Sequence, residues 1–379
     1  MHQDGHFRMV KNSFRILCLT LILWVTLPLA AQQETPTPPS IGPTLNSIRS
    51  RGQLSCGVDQ NQFGFGYLDP NTGEVTGFQV DLCRAIATAI FGDPLAVEFP
   101  PFNDPALAIE ALRSGSLDIL MTVSPVTINT AANGLEYGPT YFFSGQSILT
   151  RSDELIADWA ALAGRSVCVV TDSLAQSELP AHMRRLQLSP VQLVPQVSQQ
   201  ASFQALQNGQ CDAQSADYTD LAILRQRSGN PTGFTLWEGS ATRYTSQPYA
   251  PLIRYGDDQW SDIVSYTLYG LINAEQYDIT SELVTTLERQ RVGTTGDPET
   301  DTVYLARVGS TIASLVDENL GFGIRLGLAN NFMLAVIRDV GNYGEIFNRN
   351  FGTTASLPLP RGLNNLVQRG GLIYAPLWR

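Results

Sequence analysis

The pattern of apolar residues predicts helices and strands that follow one another through most of the chain. Residues 78–91 predict an amphipathic helix, because apolar side chains recur there at helical spacing. A second helix is expected to begin at Asp104 and Pro105 and to end at Gly115, since proline suits the first helical turn and glycine suits a left-handed stop. Its apolar stripe is expected to consist of Leu107, Ala111 and Leu112. The apolar run over residues 117–123 predicts the next buried strand.

Two motifs each occur twice, which indicates two similar units. Residues 52–58 (GQLSCGV) are echoed by residues 164–170 (GRSVCVV), and residues 112–118 (LRSGSLD) by residues 206–212 (LQNGQCD). Each first motif predicts a strand, and each second motif predicts the end of a helix. In the second unit, Ser198 is expected to cap that helix at its start. The repeated order of strand and helix predicts an α/β fold of two lobes, each with a mostly parallel open sheet covered by helices on both faces. Ligands of such sheets bind at the carboxyl ends of the strands, so a site is expected between the lobes.

The connections between the two units are predicted to form a hinge. Residues 141–150 and 249–254 are short, extended-looking runs that bound the second unit. The chain then returns to the first lobe, where Asp257 and Asp258 predict a helix start. The buried side of this helix is expected to carry Trp260, Ile263, Val264, Leu268 and Leu271. A further helix is expected over residues 332–340, in a C-terminal extension of lobe 1. The predicted organisation is lobe 1 over residues 45–148, lobe 2 over 149–250, and a return to lobe 1 over 251–379.

The N-terminal residues have the pattern of a secretory signal. A basic start precedes an apolar run over residues 16–29, and the small residues Ala30 and Ala31 follow it. A membrane anchor is the alternative, but this run is shorter than the roughly 20 residues that span a bilayer. Residues 1–31 are therefore expected to be a signal peptide cleaved near Ala31, and the proline-rich residues 32–44 to be a flexible linker.

Composition narrows the possible chemistry of the exported chain. Lys11 is the only lysine, and His182 is the only histidine after residue 31. A lysine-dependent phosphate loop, Schiff-base chemistry and a multi-histidine zinc site are therefore not expected, and neither is any other metal or cofactor. The formal net charge of −11 argues against nucleic acid as a partner. Catalysis by a serine–histidine or cysteine–histidine pair is also disfavoured by the single histidine.

Four cysteines remain after residue 31, namely Cys56, Cys83, Cys168 and Cys211. An even number in an exported protein predicts two disulfides, with free buried thiols as the alternative. The sequence alone permits three pairings. The two-lobed architecture favours Cys56 with Cys83 and Cys168 with Cys211.

Five sequence blocks together resemble the periplasmic general L-amino acid-binding proteins of polar amino acid ABC transporters, in family 3 of the solute-binding proteins. The blocks are residues 77–85 (GFQVDLCRA), 256–260 (GDDQW), 271–275 (LINAE), 340–347 (VGNYGEIF) and 370–376 (GGLIYAP). The resemblance implies a periplasmic-binding-protein fold of type II, a periplasmic location and no catalysis. It also implies a small polar, amino acid-like solute as ligand, an ABC permease in the inner membrane as partner, and a monomer.

The resemblance implies ligand contacts in lobe 1 and a departure from the usual pattern there. An aromatic loop covers the ligand in similar proteins, and it corresponds here to Phe63 and Phe65, which could equally be core residues. The family binds the ligand carboxylate through a Thr-x-Thr-x-x-Arg segment. Here Ser124, Thr127 and Thr130 are the candidates, and Thr130 stands where arginine is expected. Loss of one partner of a buried charge pair typically costs about 2–5 kcal/mol, so an altered specificity is expected.

Lobe 2 is expected to provide a hydroxyl group and an acid. Ser173 matches a family turn that meets the ligand carboxylate, whereas the preceding Asp172 is expected to cap a helix. Asp217 matches the acid that binds the ligand amine. The missing positive charge could be supplied from elsewhere by Arg243 or Arg254.

Two other functions are compatible with the same scaffold. A sensory subunit would bind the solute and report to a receptor rather than to a permease. An enzyme of the dehydratase or glycan lyase type would use carboxylates or arginines in place of a histidine.

Overall fold

The computed structural model describes residues 41–102, 104–122, 126–127, 134–238, 242–293 and 323–378, which form fifteen strands and eleven α-helices within those ranges. The strands are β1 (Leu54–Gly57), β2 (Asn61–Gln62), β3 (Gly66–Leu68), β4 (Val75–Thr76), β5 (Val97–Glu98), β6 (Ile119–Met121), β7 (Leu135–Tyr137), β8 (Phe142–Ser144), β9 (Gln146–Arg151), β10 (Ser166–Val170), β11 (Gln192–Gln196), β12 (Ala213–Asp217), β13 (Phe234–Leu236), β14 (Gln247–Tyr249) and β15 (Pro251–Arg254). The helices are α1 (Pro43–Arg51), α2 (Phe78–Phe91), α3 (Pro105–Ser114), α4 (Trp159–Leu162), α5 (Leu174–Arg185), α6 (Gln199–Gln207), α7 (Tyr218–Arg227), α8 (Asp258–Gln276), α9 (Ser281–Gly293), α10 (Phe332–Asp339) and α11 (Tyr343–Phe351).

Two five-stranded sheets of matching order form the cores of the two lobes. The first has the order β5-β1-β6-β15-β7 and the second β11-β10-β12-β9-β13. The first three strands of each sheet are parallel, and the fourth runs antiparallel to its neighbours. This confirms the predicted two-lobed α/β fold, in which one strand from outside each repeated unit completes each sheet.

The repeated aspartate lies at an equivalent point of both sheets. The backbone N–H of Asp118 donates to the carbonyl of Ser55 at 3.0 Å, and Asp118 Oδ2 accepts from the N–H of Ser55 at 2.8 Å. Asp212 makes the same two bonds to Ser166, at 3.0 and 2.9 Å. Each aspartate therefore uses a backbone and a side-chain group to align the third strand of its unit with the first.

Both predicted disulfides are present, Cys56–Cys83 and Cys168–Cys211. The two disulfides do not occupy equivalent positions in their sheets. Cys56 lies opposite Ile119, and the residue that matches Ile119 in the second sheet, Ala213, lies opposite Val167 rather than Cys168. A shift of one residue turns a strand side chain to the other face of the sheet. The first disulfide accordingly reaches α2 in the first crossover, and the second reaches the end of the second crossover, after α6.

The predicted helix ends are formed by the expected residues. The side chains of Asp104, Ser198 and Asp257 accept backbone N–H bonds at the starts of α3, α6 and α8, and Gly115 ends α3 in the left-handed conformation. The five apolar residues expected on the buried side of α8 are all buried, namely Trp260, Ile263, Val264, Leu268 and Leu271. Leu107, expected on the buried face of α3, is instead 60% exposed, since Ala108 and Leu112 form that face.

The predicted hinge is a pair of antiparallel segments. β8 pairs with β14 before the chain enters the second sheet at β9, and β15 returns it to the first sheet between β6 and β7. Because β9 begins at Gln146 and belongs to the second sheet, the predicted boundary at residues 148 and 149 is too late. The linker expected over residues 32–44 is also too long, because α1 begins at Pro43 and Thr44 is buried.

The C-terminal extension packs on the first lobe, as predicted. α10 contacts α2, and α11 contacts both α2 and α8. Asp81 in α2 accepts from Arg349 Nε at 3.0 Å and from Asn350 Nδ2 at 2.8 Å. Farther on, Asn364 accepts from the backbone N–H of Phe143 at 2.6 Å and donates to its carbonyl at 3.0 Å, so this side chain pairs with the hinge strand β8.

The expected signal peptide over residues 1–31 and the linker residues before 41 lie outside the described residues. Within the described ranges, no helix combines the length and the apolar character needed to cross a membrane.

Candidate functional site

The carboxyl ends of the central strands of lobe 1 open on a cavity of about 170 Å³. It is lined by residues that follow β1, residues at the start of α3 and residues at the end of β6, including Asp59, Phe102, Asp104, Ile109 and Thr122. This position agrees with the rule that ligands of open α/β sheets bind beyond the carboxyl ends of the strands.

The aromatic loop after β1 divides its two phenylalanines between the surface and the core. Phe65 has no exposed surface and packs against Phe142 and Phe351, with ring centroids 5.1 and 4.9 Å apart. Phe65 is therefore a core residue here, which contradicts its expected role as a ligand contact. Phe63 is only partly buried and packs edge-on against Tyr67 at 5.1 Å, so a ligand role for Phe63 stays a prediction.

Two of the three residues predicted for the carboxylate segment, Ser124 and Thr130, lie outside the described residues. Thr127 is exposed, and its backbone N–H donates to the hydroxyl of Tyr137 at 3.3 Å. Tyr137 lines the cavity of lobe 1, whereas Thr127 is not among the lining residues. A ligand contact by Thr127 stays a prediction.

In lobe 2, Ser173 rather than Asp172 caps the helix that follows β10. The Ser173 hydroxyl accepts from the N–H of Gln176 at 3.3 Å at the start of α5. Asp172 adopts φ 59° and donates its N–H to Gln176 Oε1 at 2.6 Å, so the expected cap at Asp172 is wrong by one residue. The left-handed turn at Asp172 brings Ser173 to the position whose side chain can reach the first free N–H groups.

Asp217 is the last residue of β12 and caps α7, at the carboxyl end of the strand. Its Oδ1 atom accepts from Ser144 Oγ at 2.7 Å and from the N–H and hydroxyl of Thr219 at 2.8 and 2.7 Å. Its Oδ2 atom is buried and has no hydrogen-bond partner among the described residues. Burial raises the pKa of Asp217, because a carboxylate with one unpaired oxygen is poorly solvated there. One oxygen thus maintains the fold while the other can accept from a ligand.

A second acid lies one helical turn after Asp217. Asp220 Oδ1 accepts from Gln62 Nε2 of lobe 1 at 3.2 Å, so this bond joins the two lobes. Burial, with the nearby charge of Asp217, raises the pKa of Asp220 to about 7, and the charge of Asp59 in the lobe 1 cavity acts in the same direction. The cavity and the two lobe 2 acids therefore lie within electrostatic reach of one another.

The two arginines proposed as replacements for the missing charge have different surroundings. Arg254 donates to the carbonyls of Leu112 and Leu117 at 2.9 and 2.5 Å, at the end of α3. Arg243 instead stacks on the ring of Tyr218, with its Cζ atom 3.7 Å from the centroid. Its Nε and Nη1 atoms are buried, and neither has a hydrogen-bond partner among the described residues.

Sequence reasoning missed Asp220 and Tyr218. A signal for Asp220 was available, because residues three apart at a helix start face the same side and Asp217 had already been selected. The position of Tyr218 under Arg243 had no such signal, since these residues are joined only through the pairing of β9 with β12 and the turn before β14. In the described part of the chain, no group of three or more His, Cys, Asp or Glu side chains could hold a metal ion.

Comparisons with known proteins agree with this architecture. The family model described as bacterial extracellular solute-binding proteins, family 3, matches residues 54–278. The general L-amino acid-binding periplasmic protein AapJ of Rhizobium johnstonii is 35% identical over 88% of this chain and 92% of its own length. The glutamate/glutamine/aspartate/asparagine-binding protein BztA of Rhodobacter capsulatus is 31% identical over 89% of this chain and 93% of its own.

A solved structure extends the likeness to nearly the whole folded body. The ABC transporter or periplasmic binding protein from Brucella ovis, solved with glutathione bound, is 31% identical with a TM-score of 0.70. The match covers 89% of this chain and 99% of that one, so it includes the C-terminal extension as well as the lobes. With a family model that matches more than half of its residues, this chain belongs to family 3 of the bacterial extracellular solute-binding proteins.

Proposed function

We propose that this protein captures a polar amino acid or a related small amine and delivers it to an ABC importer. The observation that carries the proposal is the buried, unpartnered Oδ2 atom of Asp217 at the carboxyl end of β12. A buried carboxylate oxygen without a donor is costly, and a protonated amine would supply that donor with the opposite charge. Membership of the family and the amino acid-binding relatives support the same conclusion.

The ligand specificity is proposed to differ from that of the standard family clamp. Thr130 carries no charge at the position where the family has arginine, so a ligand carboxylate cannot be held there as an ion pair. Glutathione, the ligand of the Brucella ovis relative, is a larger compound that also carries an amine and therefore belongs among the candidates.

The proposed setting is the periplasm, with the protein acting as a monomer that docks on a permease of the inner membrane. The named relatives are binding proteins, and both AapJ and the Brucella ovis protein are described as periplasmic. Binding needs only two lobes that close on the solute, and the Gln62–Asp220 bond offers one contact that closure would retain.

A thermal-shift panel tests the proposal directly. The twenty common L-amino acids, small diamines, small carboxylic acids without an amine, and glutathione are each added in excess to the purified protein. A ligand that binds only the native state at a hundredfold excess over its Kd stabilises it by about 2.7 kcal/mol. Melting shifts are expected only with compounds that carry an amine. Shifts confined to acids without an amine would contradict the role of Asp217.

A further inference from the structure

Arg243 is a partly buried cation, and two of its three side-chain nitrogen atoms are buried without hydrogen-bond partners among the described residues. Its Nε–H and Nη1–H groups donate to no acceptor among the described residues, although a guanidinium has five N–H donors. Burial lowers the pKa of Arg243, while the nearby Asp217 partly opposes this. Arginine nevertheless stays protonated in proteins, so the group must carry the desolvation cost as a charge.

Other partly buried arginines in the described ranges are paired, which makes Arg243 unusual. Arg151 forms a salt bridge to Glu154 at 2.7 Å. Arg361 forms one to Glu275 at 2.9 Å, although its Nε atom is buried without a partner among the described residues. Arg254 bonds to two carbonyls. A buried charge is normally paired because the interior does not replace the lost water. The unpaired donors of Arg243 therefore indicate that their acceptor is provided by a bound ligand.

A negative and a positive side chain, Asp217 and Arg243, lie near each other without forming a pair. Asp217 is close enough to influence Arg243 electrostatically, yet the two form no salt bridge within 4.0 Å in the described part of the chain. Tyr218 lies next to Asp217 in sequence and beneath Arg243 in space, and its buried hydroxyl also has no partner among the described residues. An acceptor for an amine and two donors for an anion are thus neighbours near the carboxyl end of β12.

We propose that Arg243 and Tyr218 bind the carboxylate of the ligand while Asp217 Oδ2 binds its amine, so that lobe 2 alone holds a zwitterionic amino acid head group. This inference rests on the proposed function and deepens it. The positive group that binds the ligand carboxylate is then provided by the turn that precedes β14, and not by the lobe 1 segment, where Thr130 is uncharged. With both charges of the head group held by lobe 2, the remainder of the solute extends toward the cavity of lobe 1.

The segment that carries Arg243 is held tightly enough to act as one side of a receptor. The backbone N–H of Tyr244 donates to the carbonyl of Gln146 at 3.1 Å, and Thr245 Oγ1 accepts from the N–H of Gln146 at 2.8 Å. A Cβ atom at Gly145 would lie 2.2 Å from the carbonyl oxygen of Thr245, so glycine is needed for this close approach. These contacts fix the main chain on both sides of Arg243 relative to β9.

The test compares each amino acid that binds with its own C-terminal amide, which keeps the amine and loses the carboxylate charge. Affinities are measured by titration calorimetry for the wild type, Arg243→Gln, Tyr218→Phe and Arg165→Gln. Arg165→Gln is the matched control, because this half-exposed arginine of lobe 2 forms only a long ion pair, 4.0 Å from Asp212. The probes are the twenty common L-amino acids and glutathione.

The wild type is expected to bind the acid at least about 30-fold more tightly than the amide, as the loss of one partner of a buried charge pair implies. Arg243→Gln should weaken the binding of the acid by a similar factor and leave the affinity for the amide unchanged. The preference for the acid over the amide should then disappear. Tyr218→Phe should reduce the preference by a smaller factor, and Arg165→Gln should retain it. Without ligand, Arg243→Gln should melt at or above the wild-type temperature, because the unpaired buried charge is gone.

Two results would overturn the clamp while leaving the proposed function in place. One is an amide that binds as tightly as its acid to the wild type. The other is an equal loss of acid and amide in Arg243→Gln, which would assign the residue a structural role. Failure of every amine-bearing probe to bind the wild type would count against the proposed function and the clamp together.

Discussion

Replacing Asp217 by asparagine separates the two tasks that this side chain performs. Its Oδ1 atom accepts three hydrogen bonds from Ser144 and Thr219, and asparagine retains an oxygen in that position. Its Oδ2 atom has no partner in the described ranges and is proposed to meet the ligand amine. Asparagine puts a neutral NH₂ group there. Asp217→Asn should therefore keep the start of α7 and lose the binding of amines.

The expected magnitudes differ enough to be measured separately. Removal of one partner of a buried charge pair costs about 2–5 kcal/mol, or a 30-fold to several-thousand-fold loss of affinity. Asp217→Ala should lose binding as well and should also destabilise the free protein by about 0.5–2 kcal/mol, since the helix cap is removed. The matched pair of variants thus assigns the loss of binding to the charge and the loss of stability to the cap.

The pH dependence gives an independent check. Burial raises the pKa of Asp217, so the folded protein holds this proton more tightly than the unfolded chain. The contribution of Asp217 to stability is then largest below its unfolded pKa of about 3.9 and is lost as the pH rises toward the folded value. Relative to the wild type, Asp217→Asn should become more stable as the pH rises. Unchanged ligand affinity in calorimetry, or a stability difference that does not vary with pH, would refute this reasoning.

Three further results are expected. The free energy of unfolding of the wild type should decrease between about pH 4 and about pH 7, because the pKa of Asp220 is near 4 in the unfolded chain and about 7 in the folded protein. Asp220→Asn should remove this decrease, which denaturant melts at several pH values can check. Replacing Cys168 and Cys211 by serine should destabilise lobe 2 by roughly 4 kcal/mol in the chain-entropy model for 43 residues, and a melt without a shift would contradict it. Asn364→Ala should leave both polar backbone groups of Phe143 unpaired, cost about 1–3 kcal/mol and increase hydrogen exchange in β8, whereas unaltered exchange would show that this contact does not support the hinge.

The repeated motifs and the helix caps allowed much of the architecture to be predicted, because each depends on a local physical requirement. Asp104, Ser198 and Asp257 cap helices as expected, since capping depends on a few consecutive residues. Where the prediction of a helix cap failed, the error was one residue. The cap at Asp172 was displaced to Ser173, because the left-handed φ of an aspartate cannot be read from sequence.

The comparison of the cysteine motifs reveals a limit of the repeat itself. The repeated motifs align Cys56 with Cys168 in sequence, whereas the strand register gives Cys56 the position that Val167 has in the second sheet. Only the register determines which face of a sheet a strand residue occupies, since successive side chains point to opposite faces. The pairing was nevertheless predicted correctly, because each bond stays within one lobe.

Residue order alone determined the two-lobed α/β fold and most helix boundaries, because periodicity, caps and motif repeats act over short stretches of chain. The choice of Asp217 as a ligand contact came instead from the family resemblance. The tertiary structure alone decided that Phe65 is a core residue, that Arg254 is occupied and that Arg243 stacks on Tyr218 with unpaired donors. Those facts depend on residues brought together by strand pairing across long separations, and burial at such contacts has no local signature in the sequence.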